Sequence, residues 1–345
     1  MEDIAKQLTR IRKKDKDRPR KKITILGAGM AGLAAAYELK NLGHDVQVFE
    51  ASDRVGGRVW TKRFDSGQYH EFGAMRIPKA HDYTHHYVKE LELKLRPFVT
   101  SHQEKDCWYD IRGVVTRIEN AQKNLLPHFK LSDDERKLVD GPDCVIPALF
   151  GFAVSSELRA LSDEARKALF GPTLYSGVLT DLDCKSLGDL LKERLSGPDA
   201  MELIGATTGL EVWWDRCLTM FIRDEIVGTG APLEEIVGGM DLLPTKLAKK
   251  VHGSRIHLNS PVRAIRATDD GVSLSIEQNG KVTHHNADFV LCTIPFSVLR
   301  HLQIDGISLG KRKAIRNLSY ASASKVLLHC KTRFWETGPD PILGG

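Results

Sequence analysis

The chain has 345 residues, of which 41% are hydrophobic and 28% charged, so it can bury a sizeable core and is not a disordered polypeptide. Its net charge of +5 is mild, and its length suggests two or three domains. No apolar run approaches the roughly 20 residues of a membrane span, and no hydrophobic signal segment opens the sequence. The 6 cysteines are scattered without a CxxC pair, which favours a cytoplasmic protein with reduced thiols. A mature form that has lost its signal is the alternative.

Much of the basic excess lies in residues 10–22, before the first predicted strand. Such a run could bind nucleic acid or a membrane surface. It has no aromatic residue for base stacking and no apolar face long enough to insert into lipid. We therefore predict that residues 1–20 form a basic, flexible leader that binds neither nucleic acid nor membrane.

Residues 22–58 show a strand–helix–strand pattern around a glycine-rich turn. An apolar strand, Ile23–Leu26, leads into the turn, and an alanine-rich helix follows it and ends at Gly43. A second strand, Val46–Phe49, ends on Glu50. This order is typical of a dinucleotide-binding βαβ unit, the core of a doubly wound α/β domain.

Each of the three glycines in that turn has a physical role in binding a dinucleotide. Gly27 permits the tight turn, Gly29 lets backbone N–H groups approach a pyrophosphate, and Gly32 lets helix and strand pack closely. The helix N-terminus adds partial positive charge. Glu50 stands roughly 20 residues further on, where a carboxylate meets a ribose hydroxyl and would repel the phosphate of NADP.

A second glycine pair follows in Asp53–Arg58, flanked by Arg54 and Arg58. A guanidinium can bind pyrophosphate oxygens through two parallel hydrogen bonds, although Arg54 could equally be a solvated surface residue. The R-x-G-G-R pattern after the ribose acid resembles the flavin amine oxidase family, which implies FAD as the cofactor. The resemblance is strongest over residues 22–81, 234–266 and 318–336.

The resemblance implies a discontinuous FAD-binding Rossmann-like domain with an interleaved α+β substrate domain and a helical insertion. We predict the first half of the FAD domain and the start of the substrate domain at 21–100, a mainly helical insertion at 101–233, and further strands of both domains at 234–345. The family resemblance places the cofactor contacts at Gly27, Gly29, Met30, Ala31, Gly32, Glu50, Ala51, Arg58, Gly73, Ala74, Met75, Arg76 and Val262.

Local patterns refine these regions. Helix starts with capping-box patterns are predicted at Ser132 and Ser186. Strands are predicted at 255–258, 262–267, 272–277, 281–285 and 288–293, with a hairpin turn at 278–280. Because the strand at 288–293 is nearly all apolar, we expect it to be buried on both faces.

The segment Gly73–Pro78 resembles the G-x-M-R-x-P of L-amino-acid oxidases, in which the arginine binds the substrate carboxylate. A planar guanidinium matches a carboxylate in two parallel bonds, which would fix Cα–H for transfer. Arg76 is therefore the predicted substrate ligand, and a structural ion pair is the alternative. Gly73 and Ala74 are small enough for backbone to approach a flat ring.

Two further residues follow from the resemblance. Lys325 is predicted to precede an apolar strand at 326–328 and a strand at Phe334–Trp335. It matches the family lysine that holds a water near flavin N5. An ammonium there would promote reoxidation of the flavin by oxygen. Arg223 falls where some members carry a pocket histidine, and it would suit an acidic substrate such as glutamate. A surface charge cluster is the alternative for Arg223.

Together these features predict FAD-dependent oxidation of an L-amino acid by oxygen to a 2-oxo acid, ammonia and hydrogen peroxide. An amine or polyamine oxidase and a non-catalytic flavin-fold fragment that binds a partner remain open. His81 and His85 have metal-binding spacing but no third ligand, so we expect no metal. Because family members continue beyond the position of Gly345, we expect an incomplete oxidase that binds FAD poorly and tends to aggregate alone. The sheet edge left uncovered keeps a homodimer open.

Overall fold

The computed structural model describes residues 4–14, 19–98, 107–139, 146–171, 175–226, 232–252, 255–338 and 341. The chain forms two compact units, Met1–Pro97 with Glu234–Leu328 and Phe98–Leu233 with His329–Gly345. The α/β class and the discontinuous Rossmann-like architecture predicted from the sequence are confirmed. The assignment of particular ranges to a FAD domain and a substrate domain stays a prediction.

The strands of the described residues are, in chain order, β1 Lys22–Leu26, β2 Asp45–Phe49, β3 Thr61–Arg63, β4 Tyr69–Glu71, β5 Ile77–Pro78, β6 Leu95–Pro97, β7 Trp108–Ile111, β8 Val114–Arg117, β9 Leu233–Ile236, β10 Ile256–His257, β11 Val262–Thr268, β12 Gly271–Gln278, β13 Lys281–Ala287, β14 Phe289–Cys292 and β15 Gln303–Asp305. The helices are α1 Ile4–Lys14, α2 Met30–Asn41, α3 Asp82–Glu90, α4 Ala121–Asn124, α5 Asp133–Val139, α6 Ile146–Ala160, α7 Asp163–Ala168, α8 Val178–Asp183, α9 Leu187–Arg194, α10 Ala200–Thr208, α11 Leu218–Ile226, α12 Leu242–Val251, α13 Phe296–Leu299 and α14 Leu309–Asn317.

A parallel four-stranded sheet in the order β10-β2-β1-β14 forms the centre of the first unit. Ile25 pairs with Val48 on one side and with Leu291 on the other. The helix α2 connects β1 to β2 and ends at Asn41, and the predicted C′ residue Gly43 follows with a left-handed φ of 88°. Ile25, Leu33 and Val48 are fully buried. The carboxyl ends of β1 and β2 therefore meet at one edge, where ligands bind in such sheets.

A second sheet, in the order β13-β12-β11-β15, lies in the same unit. Its β12–β13 hairpin turns at Asn279 and Gly280, with φ angles of 51° and 73°. Both values are positive, as a two-residue type I′ turn requires, so the predicted hairpin is confirmed. The core between this sheet and the end of β1 contains Leu26, Phe49 and Leu274.

The prediction that residues 288–293 are buried on both faces is wrong. The strand β14 is the outer strand of the parallel sheet and pairs, among the described residues, with β1 alone. Phe289 is 55% exposed and Leu291 is 40% exposed. Apolar composition alone does not distinguish an outer strand from a central one, because both can consist of the same residues.

Part of the predicted leader is helical: Ile4–Lys14 forms α1, on which Ile4 and Leu8 share one face, and α1 contacts α3. The flexibility of residues 1–20 stays a prediction.

Two predicted strands are not found among the described residues. Residues 318–330 form neither helix nor strand, although a strand was predicted after Lys325. A strand needs a neighbour for its backbone groups, and this segment pairs with no described strand. Phe334–Glu336 is a turn of 3₁₀-helix rather than a strand.

The second unit is built mainly of helices around one apolar core, which includes Phe129, Leu187 and Leu203. Both predicted helix starts are present. Ser132 exchanges backbone–side-chain hydrogen bonds with Glu135 at the start of α5, and Ser186 does so with Asp189 at the start of α9.

Candidate cofactor and substrate site

A cavity of about 680 Å³ opens in the first unit at the carboxyl ends of β1 and β2. Four segments line it: the turn after β1, the loop after β2, the start of β11, and the residues between β14 and α13. Ala74 adds a contribution from the segment after β4. Its position at the strand ends is the one at which doubly wound sheets bind ligands.

The glycine turn shapes one wall of this cavity. Gly27 has a φ of 103° and its N–H donates to Phe49 O at 2.8 Å, which ties the turn to β2. A Cβ on Gly32 would lie 2.0 Å from Gly27 O, so only glycine fits there. A Cβ on Gly29, in contrast, would meet no heavy atom within 4 Å. Gly29 therefore leaves open space for a group that approaches the backbone, as a pyrophosphate does.

Glu50 closes the cavity at the end of β2. Its Oε2 accepts a hydrogen bond from the Ala28 N–H at 2.7 Å, and its Oε1 accepts from the Ser52 N–H at 2.9 Å and from the Ser52 hydroxyl at 2.8 Å. A carboxylate has about four acceptor positions, so it can still accept from ribose hydroxyls. Sequence reasoning missed Ser52, although a serine two residues after an acid is the usual signal of such a local bond.

The second glycine pair lies directly against the first turn. Gly56 N–H donates to Ala28 O at 2.8 Å, and a Cβ on Gly57 would lie 3.3 Å from Gly29 Cα. For Arg54, the sequence left open whether it binds a pyrophosphate or is a solvated surface residue. In the structure, Arg54 bonds to the backbone of this loop. Its guanidinium donates to the carbonyl oxygens of Val55, Gly57 and Val59 and lies 5.0 Å from the ring centroid of Trp60.

Two guanidinium groups near the cavity have no partner among the residues that the structure describes. Arg58 lines the cavity, and Arg76 lies two residues beyond Ala74. Both side chains are exposed, and neither makes a hydrogen bond or an ion pair with a described residue. The structural ion pair considered for Arg76 is therefore not found within the described part of the chain. Each guanidinium can therefore bind an anionic ligand by donating hydrogen bonds.

The segment between β4 and β5 presents Arg76. Its Phe72 N–H donates to Trp60 O at 2.8 Å and its Ala74 N–H donates to Arg58 O at 3.1 Å. A Cβ on Gly73 would lie 1.8 Å from Arg58 O. Gly73 is therefore required because the Arg58 backbone lies against it. The sequence had instead suggested that Gly73 is small so that the backbone can approach a flat ring.

Below this segment, Glu71 is a buried carboxyl. It accepts hydrogen bonds from the Thr61 hydroxyl at 2.8 and 3.0 Å and from the Met240 N–H at 2.8 Å. Burial raises the pKa of Glu71 above its usual value. These bonds attach β4 to the turn before α12.

Lys325 reaches the same segment from the other side. Its ammonium donates to Glu71 O at 3.1 Å and to Gly73 O at 2.8 Å, and lies 3.6 Å from Met75 Sδ. The predicted role of Lys325 at a cofactor stays a prediction.

The predicted cofactor residues divide into two groups by position. Those that line the cavity are Gly27, Gly29, Met30, Ala31, Glu50, Ala51, Arg58, Ala74 and Val262. Gly32, Gly73, Met75 and Arg76 lie next to that wall and are not among its lining residues. The cofactor contacts themselves stay predictions.

Arg223 lies in the second unit, on α11. Its side chain is exposed, its guanidinium lies 5.6 Å from the ring centroid of Phe170, and it makes no ion pair with a described residue. The predicted role of Arg223 in substrate binding stays a prediction.

Two histidines flank Phe49, whose ring forms part of the cavity wall. The ring of His257 stacks on Phe49 at 4.7 Å between centroids, and His285 meets it edge-on at 5.1 Å. His285 Nε2 also lies 2.9 Å from the Thr24 hydroxyl. Burial, with the nearby Arg255, holds the pKa of His257 below its usual value, and burial also lowers the pKa of His285.

The part of the chain that the structure describes was also predicted to have no membrane span and no metal site. None of its helices is both long and apolar enough to cross a membrane. No group of three His, Cys, Asp or Glu side chains there is arranged to hold a metal ion. His85 Nε2 lies 3.2 Å from Pro78 O.

Comparison with known proteins was made at both the sequence and the structure level. The family model described as flavin containing amine oxidoreductase matches residues 30–344. The flavin-dependent L-tryptophan oxidase RebO of Lentzea aerocolonigenes is 36% identical over 338 residues, which cover 95% of this chain and 69% of that protein. The L-amino-acid oxidase of Demansia vestigiata is 30% identical over 338 residues, covering 94% of this chain and 60% of that protein. The chain thus spans about two thirds of the length of these relatives.

Solved structures show the same fold. A putrescine oxidase bound to putrescine aligns with a TM-score of 0.63 at 21% identity, covering 83% of this chain and 61% of that one. The cyclohexylamine oxidase from Brevibacterium oxydans aligns with a TM-score of 0.60 at 21% identity, covering 86% of this chain and 63% of that one.

Proposed function

Because the chain belongs to the flavin-containing amine oxidoreductase family, we propose that it takes part in oxidising an L-amino acid with FAD and oxygen. The products would be a 2-oxo acid, ammonia and hydrogen peroxide, with one water and one O₂ consumed per amino acid. The observation that carries the proposal is the free guanidinium of Arg76, on the segment whose Ala74 lines the cavity. The matched relatives include proteins named as L-amino-acid oxidases and as a tryptophan oxidase.

The cavity fits the adenosine and pyrophosphate part of FAD, the cofactor that family membership assigns. The open side of Gly29 and the adjoining Gly57 leave room for the pyrophosphate, and Arg58 would neutralise its charge. Glu50 would bind the ribose hydroxyls, while Val262 lines the wall predicted to face adenine. When bound, FAD would accept a hydride from the substrate Cα while the amine loses a proton to form the imino acid, and these two electrons and two protons would reduce oxygen to hydrogen peroxide.

The chain's own part in the reaction is binding and orientation. Arg76 would bind the α-carboxylate through two parallel hydrogen bonds, which would fix the orientation of the Cα–H bond. Transfer from Cα requires the amine in its neutral form, so the site must not stabilise the ammonium with a carboxylate. Glu71, the buried acid nearest to this segment, is already engaged by Thr61 and Met240.

Replacing Arg76 tests the proposal. Arg76→Lys keeps the charge and loses the paired geometry, and Arg76→Ala loses both. We expect the apparent KM for the best amino acid to rise about tenfold in Arg76→Lys and roughly a hundredfold in Arg76→Ala. Lys79→Ala is the matched control, since Lys79 is exposed and lies directly after β5. Turnover of amines at the rate of amino acids, unaffected by Arg76→Ala, would instead support an amine oxidase.

Preference for an acidic amino acid is a finer proposal that rests on Arg223. Its guanidinium is exposed and lies 5.6 Å from the ring centroid of Phe170, and by the family resemblance Arg223 falls where some members carry a pocket histidine. The tryptophan oxidase among the relatives points by its name to an aromatic substrate instead. Turnover of glutamate and tryptophan by the wild type and by Arg223→Glu distinguishes the two, because only a glutamate preference would reverse.

A further inference from the structure

We propose that Lys325 is a positioning residue, which holds the Glu71–Arg76 segment in place and thereby sets substrate affinity through Arg76. The effect on substrate rests on the proposed function, in which Arg76 binds the carboxylate. The effect on the segment does not depend on it.

Lys325 contacts three positions of the segment. Its ammonium reaches the carbonyl oxygens of Glu71 and Gly73 and the sulfur of Met75. The chain bends at residues 72 and 73, directly after β4, so one ammonium contacts the segment before, at and after this bend. An ammonium has three N–H donors, and three acceptors lie within its reach.

The opposite side of the segment is fixed by the backbone of the neighbouring loop. Phe72 N–H donates to Trp60 O and Ala74 N–H donates to Arg58 O. Gly73 allows this approach because it has no Cβ. The segment is therefore held between the Arg58–Trp60 backbone and Lys325, and Arg76 follows directly after it.

The coil that carries Lys325 has little other attachment. Val326 is 86% exposed and Leu328 is 80% exposed, so apolar packing does not fix the coil. Among the described residues, the hydrogen bonds from positions 321–328 to the rest of the first unit all come from Lys325. The lysine thus ties the coil and the Arg76 segment to each other.

Hydrogen exchange on the purified full chain without added FAD tests the attachment directly. In Lys325→Met, peptides covering residues 70–78 should exchange about fivefold faster than in the wild type, because the Phe72 and Ala74 amides open more often. Lys325→Arg, which keeps charge and donors, should restore slow exchange. Lys313→Met is the matched control, since Lys313 is exposed and bonds to no described residue. Unchanged exchange in Lys325→Met would overturn the proposal.

Kinetics then separate positioning from a role at the cofactor. At saturating oxygen, we expect the apparent KM for the amino acid to rise about tenfold in Lys325→Met and to return towards the wild-type value in Lys325→Arg. A loss confined to the oxygen dependence of kcat, with KM unchanged, would overturn positioning and favour a role at the cofactor. Absence of amino-acid turnover by the wild type counts against the proposed function alone, because the exchange experiment still decides the role of Lys325.

Discussion

The Glu50→Gln variant gives the sharpest test of the cofactor site. Three donors converge on the Glu50 carboxylate, one from Ala28 and two from Ser52. A glutamine has one acceptor oxygen, so if that oxygen stays with Ser52, its NH₂ group faces the Ala28 N–H. Ala28 is fully buried, and a buried N–H without an acceptor costs about 1–3 kcal/mol. We expect the free energy of unfolding of the FAD-free chain to fall by that amount.

The same substitution should weaken FAD binding separately. Hydrogen bonds from ribose hydroxyls to a charged acceptor contribute about 1.5–3 kcal/mol each, which corresponds to a loss of roughly tenfold to a hundredfold in affinity. Urea unfolding measures the first effect, and titration of FAD fluorescence measures the second. Asp53→Asn is the control, because Asp53 is an exposed acid that bonds to no described residue. Wild-type stability and FAD affinity in Glu50→Gln would refute the assignment, as would equal losses in Asp53→Asn.

Two further predictions concern the glycine turn and the histidines. Gly32→Ala should lower stability by about 2 kcal/mol or more, because its Cβ meets a backbone oxygen, whereas Gly29→Ala should keep wild-type stability and lose FAD affinity. Equal urea midpoints of the two variants would contradict this contrast. Since the pKa values of His257 and His285 are lowered, the folded state favours their neutral forms. Their contribution to the free energy of unfolding should be fully present above pH 6.5, about the pKa of an unfolded histidine, and should be lost as the pH falls below that value. The urea midpoint should therefore drop between pH 7.5 and pH 5.5, and it should drop less in His257→Phe.

The sequence predicted the first βαβ unit closely because local rules determine it. The tight turn at Gly27 and the close packing at Gly32 each permit one residue type, and both are visible as glycine. The hairpin at Asn279 is equally local. Family membership and FAD followed from the R-x-G-G-R pattern at Arg54–Arg58, and both are confirmed.

Features that depend on distant parts of the chain were not predictable in the same way. The exposure of β14 depends on which strands pair with it, and residues 326–328 lack a described strand neighbour. The role of Arg54 as a support of the glycine loop requires knowing where three carbonyl oxygens lie. Ser52 was the exception, since its local bond to Glu50 could have been read from the spacing alone.

The position of β14 at the edge of the parallel sheet has a consequence for aggregation of the purified protein. The outer side of β14 pairs with no described strand, and its side chains Phe289 and Leu291 are apolar and exposed. Backbone N–H and C=O groups at such an edge can pair with a strand of almost any sequence, so unwanted strand addition between molecules should increase with protein concentration. Dilute samples, or a charged residue in place of Leu291, should reduce aggregation without changing a residue that lines the cavity.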